Sequence, residues 1–404
     1  MLNVPACGKT IEVFACYGSF LKEESVNLQF TEEQEMIREM VRDFATNEIL
    51  PTIMEYDEKQ EFPHEIVKKL GDLGLLGIIF PKEYGGAEMG YIEYVAIIEE
   101  LSKVDGSIGL TVAAHNSLCS NHIYIAGNEE QKRKYLIPLA SGQKIGAWGL
   151  TEPTGGSDAG AVRMTGVRDG KHWILNGTKN FITHATVGDI AVLVAVTDKT
   201  KGKKGISAFI LEKGMEGYRA GKKENKLGMR SSDTAELILE DCRVPAENLL
   251  GQEGMGFIDS LRVLDGGRIS IAALANGLAM GALEASVKYS KERKAFGESI
   301  SEFEAIRWMI ADMGTRIEAA RLLTYHAAAL KNKGEEVNKQ SAMAKLYAGD
   351  TAVWVAERAV QIFGGYGLCK DYPVEKIYRD VKLCTIGEGT SEIQHLVIAR
   401  QILK

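Results

Sequence analysis

The sequence predicts an α+β chain in three parts: an N-terminal helical domain, a middle antiparallel, barrel-like β domain, and a C-terminal helical bundle. Apolar residues recur at helical spacing up to about residue 140. After Lys144 short β-rich runs bounded by turn residues replace them, and from Gly256 the helical period returns in longer segments. A period near 3.6 puts an apolar stripe along a helix, whereas short β-branched runs between turn residues fit strands. The 404 residues, 45% hydrophobic and 25% charged, match ordinary globular composition and give length for two or three domains. The domains are set at residues 27–144, 145–255 and 256–404, behind an extension at 1–26 that is expected to be poorly ordered.

Taken in order, Thr31-Glu32-Glu33-Gln34 reads as a capping box, and Met36, Ile37, Met40, Val41 and Phe44 follow at helical spacing until Pro51. Similar stripes run through Ile66, Val67, Leu70 and Leu73, closed by Gly74, and from Tyr91 to Leu101. The β part contains the runs Asp189 to Val196 and Gly205 to Leu211, with Asp169-Gly170 and Asn176-Gly177 as turns between strands. Helices are predicted over 259–291, 302–331, 335–363 and 391–403, and the two helical parts can pack as one bundle.

A net charge of −7 argues against gripping nucleic acid or an anionic membrane through a general basic field. No uninterrupted apolar run reaches the roughly 18 residues of a membrane span, so no membrane insertion is expected. Residues 1–26 have neither the pattern of a secretory signal nor the Arg-rich character of a mitochondrial presequence. The expected location is cytoplasmic, or the mitochondrial matrix in a eukaryote. Gly8-Lys9-Thr10 resembles the end of a P-loop, but Asn3 stands where that motif needs glycine. The six cysteines form no Cys-x-x-Cys pair and the seven histidines no i, i+4 pair, so no metal site or disulfide framework is indicated.

Several motifs carry chemistry only in combination. Leu150-Thr-Glu-Pro-Thr-Gly-Gly-Ser157-Asp158 places glycines and hydroxyls at the entry to the β domain, where backbone N–H groups can meet a phosphate or flavin edge. Alone it is a turn. Lys179-Asn-Phe181-Ile182-Thr183, Arg293-Lys-Ala-Phe296-Gly297, Gln361-Ile-Phe-Gly364-Gly365-Tyr-Gly367, Tyr378-Arg-Asp380 and Glu388-Gly389-Thr390 follow in order. A helical pattern rather than a strand precedes the glycine cluster, which argues against a Rossmann fingerprint. In this order and spacing the motifs closely resemble the acyl-CoA dehydrogenase family over about residues 27–404.

The resemblance implies an FAD cofactor and an acyl-CoA substrate, with the chain assembled as a homotetramer, a dimer of dimers. Trp148, Leu150, Thr151, Ser157, Phe181, Ile182 and Thr183 would line the isoalloxazine ring, where hydrogen bonds tune hydride acceptance. Arg293, Phe296, Glu304, Gln361, Gly364 and Gly365 would meet the dinucleotide part of an FAD held mainly by a neighbouring subunit, and Thr390 and Glu392 complete the cofactor set. Asp265-Gly266-Gly267-Arg268, read as opening a long helix, would face the CoA portion together with Ser157 and Gly389.

Glu388 is the implied base. An α-proton of a thioester is weakly acidic and leaves only when a positioned carboxylate meets it and developing enolate charge is stabilised. Glycines on both sides admit the substrate, and the helix beginning near Thr390 favours the carboxylate, while desolvation is expected to raise its pKa. Some family members carry the base on the helix corresponding to 259–291, at the position of Gly267, which holds no carboxylate. The expected reaction is dehydrogenation to trans-2-enoyl-CoA with electrons passed to an electron-transfer flavoprotein. An O₂-using oxidase and a non-catalytic assembly relative are the alternatives.

Two departures stand out: Gly387 where many relatives have Tyr, which could widen the pocket, and Glu304 where they usually have Gln, near the adenosine moiety. Acyl length is expected to depend on the helix around 91–103. Glu99 and Glu100 in its middle, with Lys103 only at its end, favour an uncharged short or branched acyl group over a dicarboxylyl one.

Overall fold

Helix formation starts where the sequence marks a cap. The Thr31 hydroxyl accepts from Gln34 N and the Gln34 side chain accepts from Thr31 N, so two amides that a helix start leaves unpaired are satisfied at α1 (Glu32–Phe44). The computed structural model describes residues 30–404; the predicted extension at 1–26, with Cys7, Gly8-Lys9-Thr10 and Cys16, lies outside the described residues. The N-terminal helices continue as α2 (Ile53–Lys59), α3 (His64–Asp72), α4 (Tyr91–Val104), α5 (Gly106–Ala114), α6 (Asn121–Ala126), α7 (Glu129–Gln131) and α8 (Ile137–Ala140). Asp105 ends α4 and caps α5 by accepting from Ile108 N at 2.8 Å. From Tyr94 to Ser102 every residue of α4 is buried, which makes it a core helix.

The middle part holds β1 (Gly146–Gly149), β2 (Thr165–Asp169), β3 (His172–Thr183), β4 (Ile190–Val196), β5 (Ile206–Glu212), β6 (Tyr218–Lys223), β7 (Thr234–Pro245) and β8 (Leu249–Leu250). They form one sheet in the order β6-β7-β3-β2-β4-β5-β8, with β1 on β4. Pairing is antiparallel except where β4 meets β1 and β2, both parallel to it. Alternation along β4 divides two cores: Ala191, Leu193 and Ala195 join Trp173 and Phe209, while Ile190, Val192 and Val194 join Phe80 and Leu139 from the N-terminal helices.

Asp169-Gly170 is the expected turn, with Gly170 at φ 56°. Asn176-Gly177 is not. Both lie inside β3 at a shift of register, and a Cβ on Gly177 would fall 2.9 Å from Met164 Cα. Glycine there serves a bulge and a close backbone approach, which leaves the same sequence signal as a hairpin turn.

The C-terminal part contains α9 (Gly256–Glu292), α10 (Glu304–Asn332), α11 (Asn338–Phe363), α12 (Pro373–Asp380) and α13 (Ser391–Ile402). By length and composition α9 could cross a membrane, yet 72% of its most apolar window is buried within the structure. Small residues let it approach α4 backbone to backbone: a Cβ on Gly277 would meet Glu99 O at 2.5 Å, and one on Gly281 would meet Lys103 O at 2.3 Å. The two helical parts therefore share one core.

A buried ion cluster joins all three parts. Lys376 on α12 lies 2.6 Å from Asp105 and 2.5 Å from Asp380, and Met229 N from the β part donates to Asp380 at 2.5 Å. Arg379 reaches Asp57 at 2.8 Å.

Candidate active site

After α12 the chain makes a short 3-10 turn, then Gly387, Glu388 and Gly389 lead into the Thr390 cap of α13. Glu388 and Gly389 both take left-handed backbone, at φ 53° and 97°. For a non-glycine residue that conformation is strained and persists only where surroundings impose it. Here Gln394 Nε2 and Lys345 Nζ both donate to Gly389 O, at 3.0 and 2.6 Å.

The turn directs the Glu388 carboxyl inward against α9. A Cβ built on Gly267 would lie 1.8 Å from Glu388 Oε2, so a side chain at 267 and the carboxylate compete for one place. Oε2 is buried and accepts no hydrogen bond among the described residues. Burial raises the Glu388 pKa to about 7, against the opposing pull of Lys345 and then Arg268. Next to Gly267, a Cβ on Gly266 would meet the Tyr91 hydroxyl at 2.8 Å, so α4 forms the adjoining wall.

Asp265-Gly266-Gly267-Arg268 does not open a helix. It lies well inside α9, which starts at Gly256, because the two glycines are covered by Tyr91 and Glu388 and do not break the helix. Arg268 is only 5% exposed; its Nη1 holds Asp265 at 2.8 Å and its buried Nε has no partner among the described residues. Asp265 also accepts from Asn338 at 2.9 Å.

The acidic pair in α4 is turned elsewhere. Glu99 binds Arg321, Tyr325 and Asn276, and Glu100 binds Arg38, Arg42 and Lys103, so both carboxylates cross-link helices. Engaged in this way, neither carboxylate is available to repel a dicarboxylyl substrate, contrary to the expectation from their position in sequence.

A second group of predicted residues sits at the ends of β1 and β3. Trp148 Nε1 donates to His122 Nδ1 at 3.0 Å; burial lowers the His122 pKa to about 3 and keeps the ring a neutral acceptor. Lys179 Nζ bonds Glu152 Oε1 at 2.7 Å and Leu150 O at 3.3 Å, while Glu152 also accepts from Arg163 N and Met164 N. Asn180 N bonds Thr151 O, so the loop from Leu150 is fixed to β3. The Thr151 and Thr183 hydroxyls are left without a hydrogen-bond partner among the described residues. Phe181, at φ 57°, is 64% exposed, whereas the Ile182 side chain lies in the sheet core and leaves only its backbone available. Ser157 is exposed on the same loop.

The third group lies far off. Arg293 follows α9 about 39 Å along the helix from Gly267, at 1.5 Å per residue. Its guanidinium sits 5.6 Å over the Tyr366 ring beside Gly364 and Gly365, so two of the motifs do meet. Phe296 tips the hairpin of β9 (Lys294–Ala295) and β10 (Glu298–Ser299), 98% exposed at φ 54°. Gly364, at φ 60°, and Gly365 have nothing within 4 Å of a would-be Cβ. Gln361 and Glu304 are exposed. Nearer Glu388, Thr390 and Glu392 line a cleft of about 570 Å³ with Trp354, Lys382 and His395.

Lys345 and Tyr91 border the candidate site with no motif to announce them, and the pairing of Lys179 with Glu152 joins two motifs whose contact the sequence does not show. Lys345 alone leaves a trace in sequence: it sits on the stripe of Ser341, Ala344, Ala348 and Ala352, where a charge faces core.

Among known proteins, three family models match: acyl-CoA dehydrogenase N-terminal domain at residues 31–143, middle domain at 147–242 and C-terminal domain at 254–403. The chain is 52% identical over 379 residues to the short-chain specific acyl-CoA dehydrogenase of Clostridium acetobutylicum, covering 94% of this chain and 100% of the relative. It resembles a chain from the structure of the electron transferring flavoprotein of Acidaminococcus fermentans, with TM-score 0.93 and 52% identity, over 94% of this chain and 100% of the other. Butyryl-CoA dehydrogenase from Megasphaera elsdenii matches with TM-score 0.92 and 43% identity, over 94% and 100% of the two chains.

Proposed function

This chain belongs to the acyl-CoA dehydrogenase family of flavoprotein oxidoreductases, and we propose that it converts a short or branched acyl-CoA to the trans-2-enoyl-CoA, with Glu388 as the base. One observation carries the assignment: the Glu388 carboxyl turns its Oε2 inward against α9, where that oxygen is buried, has no hydrogen-bond partner among the described residues, and the group is poised near neutral pH. A group that must take a weakly acidic proton works best with a pKa near working pH.

The chain's own residues fit an FAD. Exposed Phe181, half-buried Trp148 and the unused hydroxyls of Thr151 and Thr183 offer a ring face and edge, with Leu150, Ser157 and the Ile182 backbone beside them. Thr390 and Glu392 would hold it from the α13 side. Arg293, at the far end of α9, and Phe296 in the hairpin after it lie too far from Gly267 to reach the Glu388 pocket of their own chain, and Arg293 meets Tyr366 beside Gly364 and Gly365, which supports the use of this group, with Glu304 and Gln361, by a neighbouring copy in a homotetramer. When bound, FAD supplies the acceptor for the β-hydride, and an electron-transfer flavoprotein is the proposed recipient of the electrons.

Glu388 then takes the α-proton on Oε2. Its backbone N–H, which makes no hydrogen bond within the described chain, is free to meet the thioester oxygen and spread developing charge. Arg268, held by Asp265, and Ser157 face the CoA portion. Gly387, in place of a larger residue, leaves room beside the reacting carbons.

Glu388→Gln is expected to keep yellow FAD and lose substrate bleaching by roughly three powers of ten; near-normal turnover would overturn the base. Anaerobic titration with straight, branched and dicarboxylyl acyl-CoAs, following flavin absorbance, tests the substrate class. Rapid reoxidation of the reduced enzyme by O₂ with release of peroxide would replace the dehydrogenase reading with an oxidase.

A further inference from the structure

Resting on Glu388 as the base, we infer that Lys345 is its positioning residue: the ammonium fixes the Gly387–Gly389 turn through the Gly389 carbonyl and supplies the positive charge that faces the carboxylate. Lys345 projects from α11 and is 1% exposed. Burying an ammonium without a carboxylate at contact distance is costly, and the cost persists where something depends on the charge. Its one hydrogen bond among the described residues goes to Gly389 O at 2.6 Å, the carbonyl directly after the base. Gln394 donates to the same oxygen at 3.0 Å, so two side chains from different helices grip the residue that follows Glu388. That grip accounts for a glutamate held at φ 53° with its carboxyl turned into α9.

The charges around the pair are few. Lys345 is faced by Cys384 and Glu388 on the segment after α12, by Asp350 on α11 and by Arg268 on α9. Glu388 is faced by Lys345 and Arg268, with the buried Tyr94 hydroxyl nearby on α4. Arg268 is bound to Asp265 and is largely neutralised by it. Among the described residues Lys345 has no carboxylate at ion-pair distance, which makes it the net cation of the pocket. Burial lowers the lysine and raises the carboxyl, and each opposes that shift in the other: Lys345 draws Glu388 down and Glu388 holds Lys345 up. Removing the charge makes the carboxylate harder to form, and the acid limb of the pH profile moves upward.

The test uses FAD-loaded enzyme with Lys345→Gln, which keeps a donor for Gly389 O but no charge, and Lys345→Arg, which keeps both. Flavin per chain and melting temperature establish folding. In Lys345→Gln the acid limb of kcat/KM is expected to rise by about one pH unit, a loss of about five-fold at pH 7 that recovers by pH 9. Lys345→Arg is expected to restore the native limb. Infrared titration of the Glu388 carboxylate without substrate is expected to shift in the same direction. A limb that stays in place in Lys345→Gln, or a loss equal at every pH, overturns the inference; if that variant does not fold, Lys345→Met is read by the same criteria. Glu388→Gln measured in parallel separates the two ideas. Turnover retained there removes the base, whereas an inactive Glu388→Gln beside an unmoved limb removes only the role of Lys345.

Discussion

The two ends of α9 hold predicted site residues in opposite ways. At Gly267 the helix is covered by Tyr91 and Glu388, and each side chain nearby has its position set within the chain. Beyond Arg293 it ends in a hairpin whose Phe296 is almost fully exposed in a strained backbone conformation, beside glycines with open space around them. Large apolar exposure and strain together mark a surface whose partner lies outside the chain. The closed end holds the proposed chemistry, and the open end holds the residues proposed to complete a second molecule's cofactor site.

The comparison breaks most visibly at Gly267→Ala. A methyl group there must push the carboxylate away, and since the obstacle is the end of a flexible side chain, folding should survive. Turnover is expected to fall by roughly 100-fold, about 2.7 kcal/mol, with melting unchanged or slightly raised because alanine favours a helix interior. Native turnover in this variant would mean that the base does not work from that place.

A buried carboxyl should also cost stability. The folded pKa of about 7 lies above the ordinary 4.5, so the folded state binds more protons between those values and loses stability as pH rises through them. Glu388→Gln is therefore expected to be more stable than the native chain at pH 8 by about 3 kcal/mol, a gap that closes near pH 4.5. Denaturant unfolding at the two pH values measures it, and a gap that does not change with pH contradicts the burial argument.

At the open end the effect on the single chain should be smallest. Phe296→Ala is expected to change its stability by less than about 0.5 kcal/mol, since the ring touches little of its own chain. Flavin retained per chain after gel filtration should fall several-fold. Unchanged flavin retention and assembly would make the two ends alike and remove the contrast.

Much of the fold was legible because helical periodicity and caps are local. The Thr31 box and the four long C-terminal helices stand within a few residues of their expected places. Asn176-Gly177 misled because a bulge and a hairpin use the same glycine for different backbone needs. Asp265-Gly266-Gly267 misled because only tertiary cover explains two glycines in mid-helix. Glu99 and Glu100 were assigned to the pocket wall by position, but their partners come from α1, α9 and α10. Lys345 and Gly389, like Lys179 and Glu152, meet across long stretches of chain, and no local pattern encodes such a pairing. Glu388 was legible from its glycines and motif, whereas its strained backbone and its place against Gly267 arise only in three dimensions.

The Lys376 cluster has a consequence for how the molecule comes apart. Its carboxylates come from α2, the α5 cap and α12, and the amide that completes it comes from the β part. Peeling away any one part strands charge or a bare donor in an apolar seam, so half-opened forms are penalised relative to both intact and fully unfolded chains. Three modules distinct in secondary structure are thereby coupled into a single cooperative unit, with one ammonium acting as their latch.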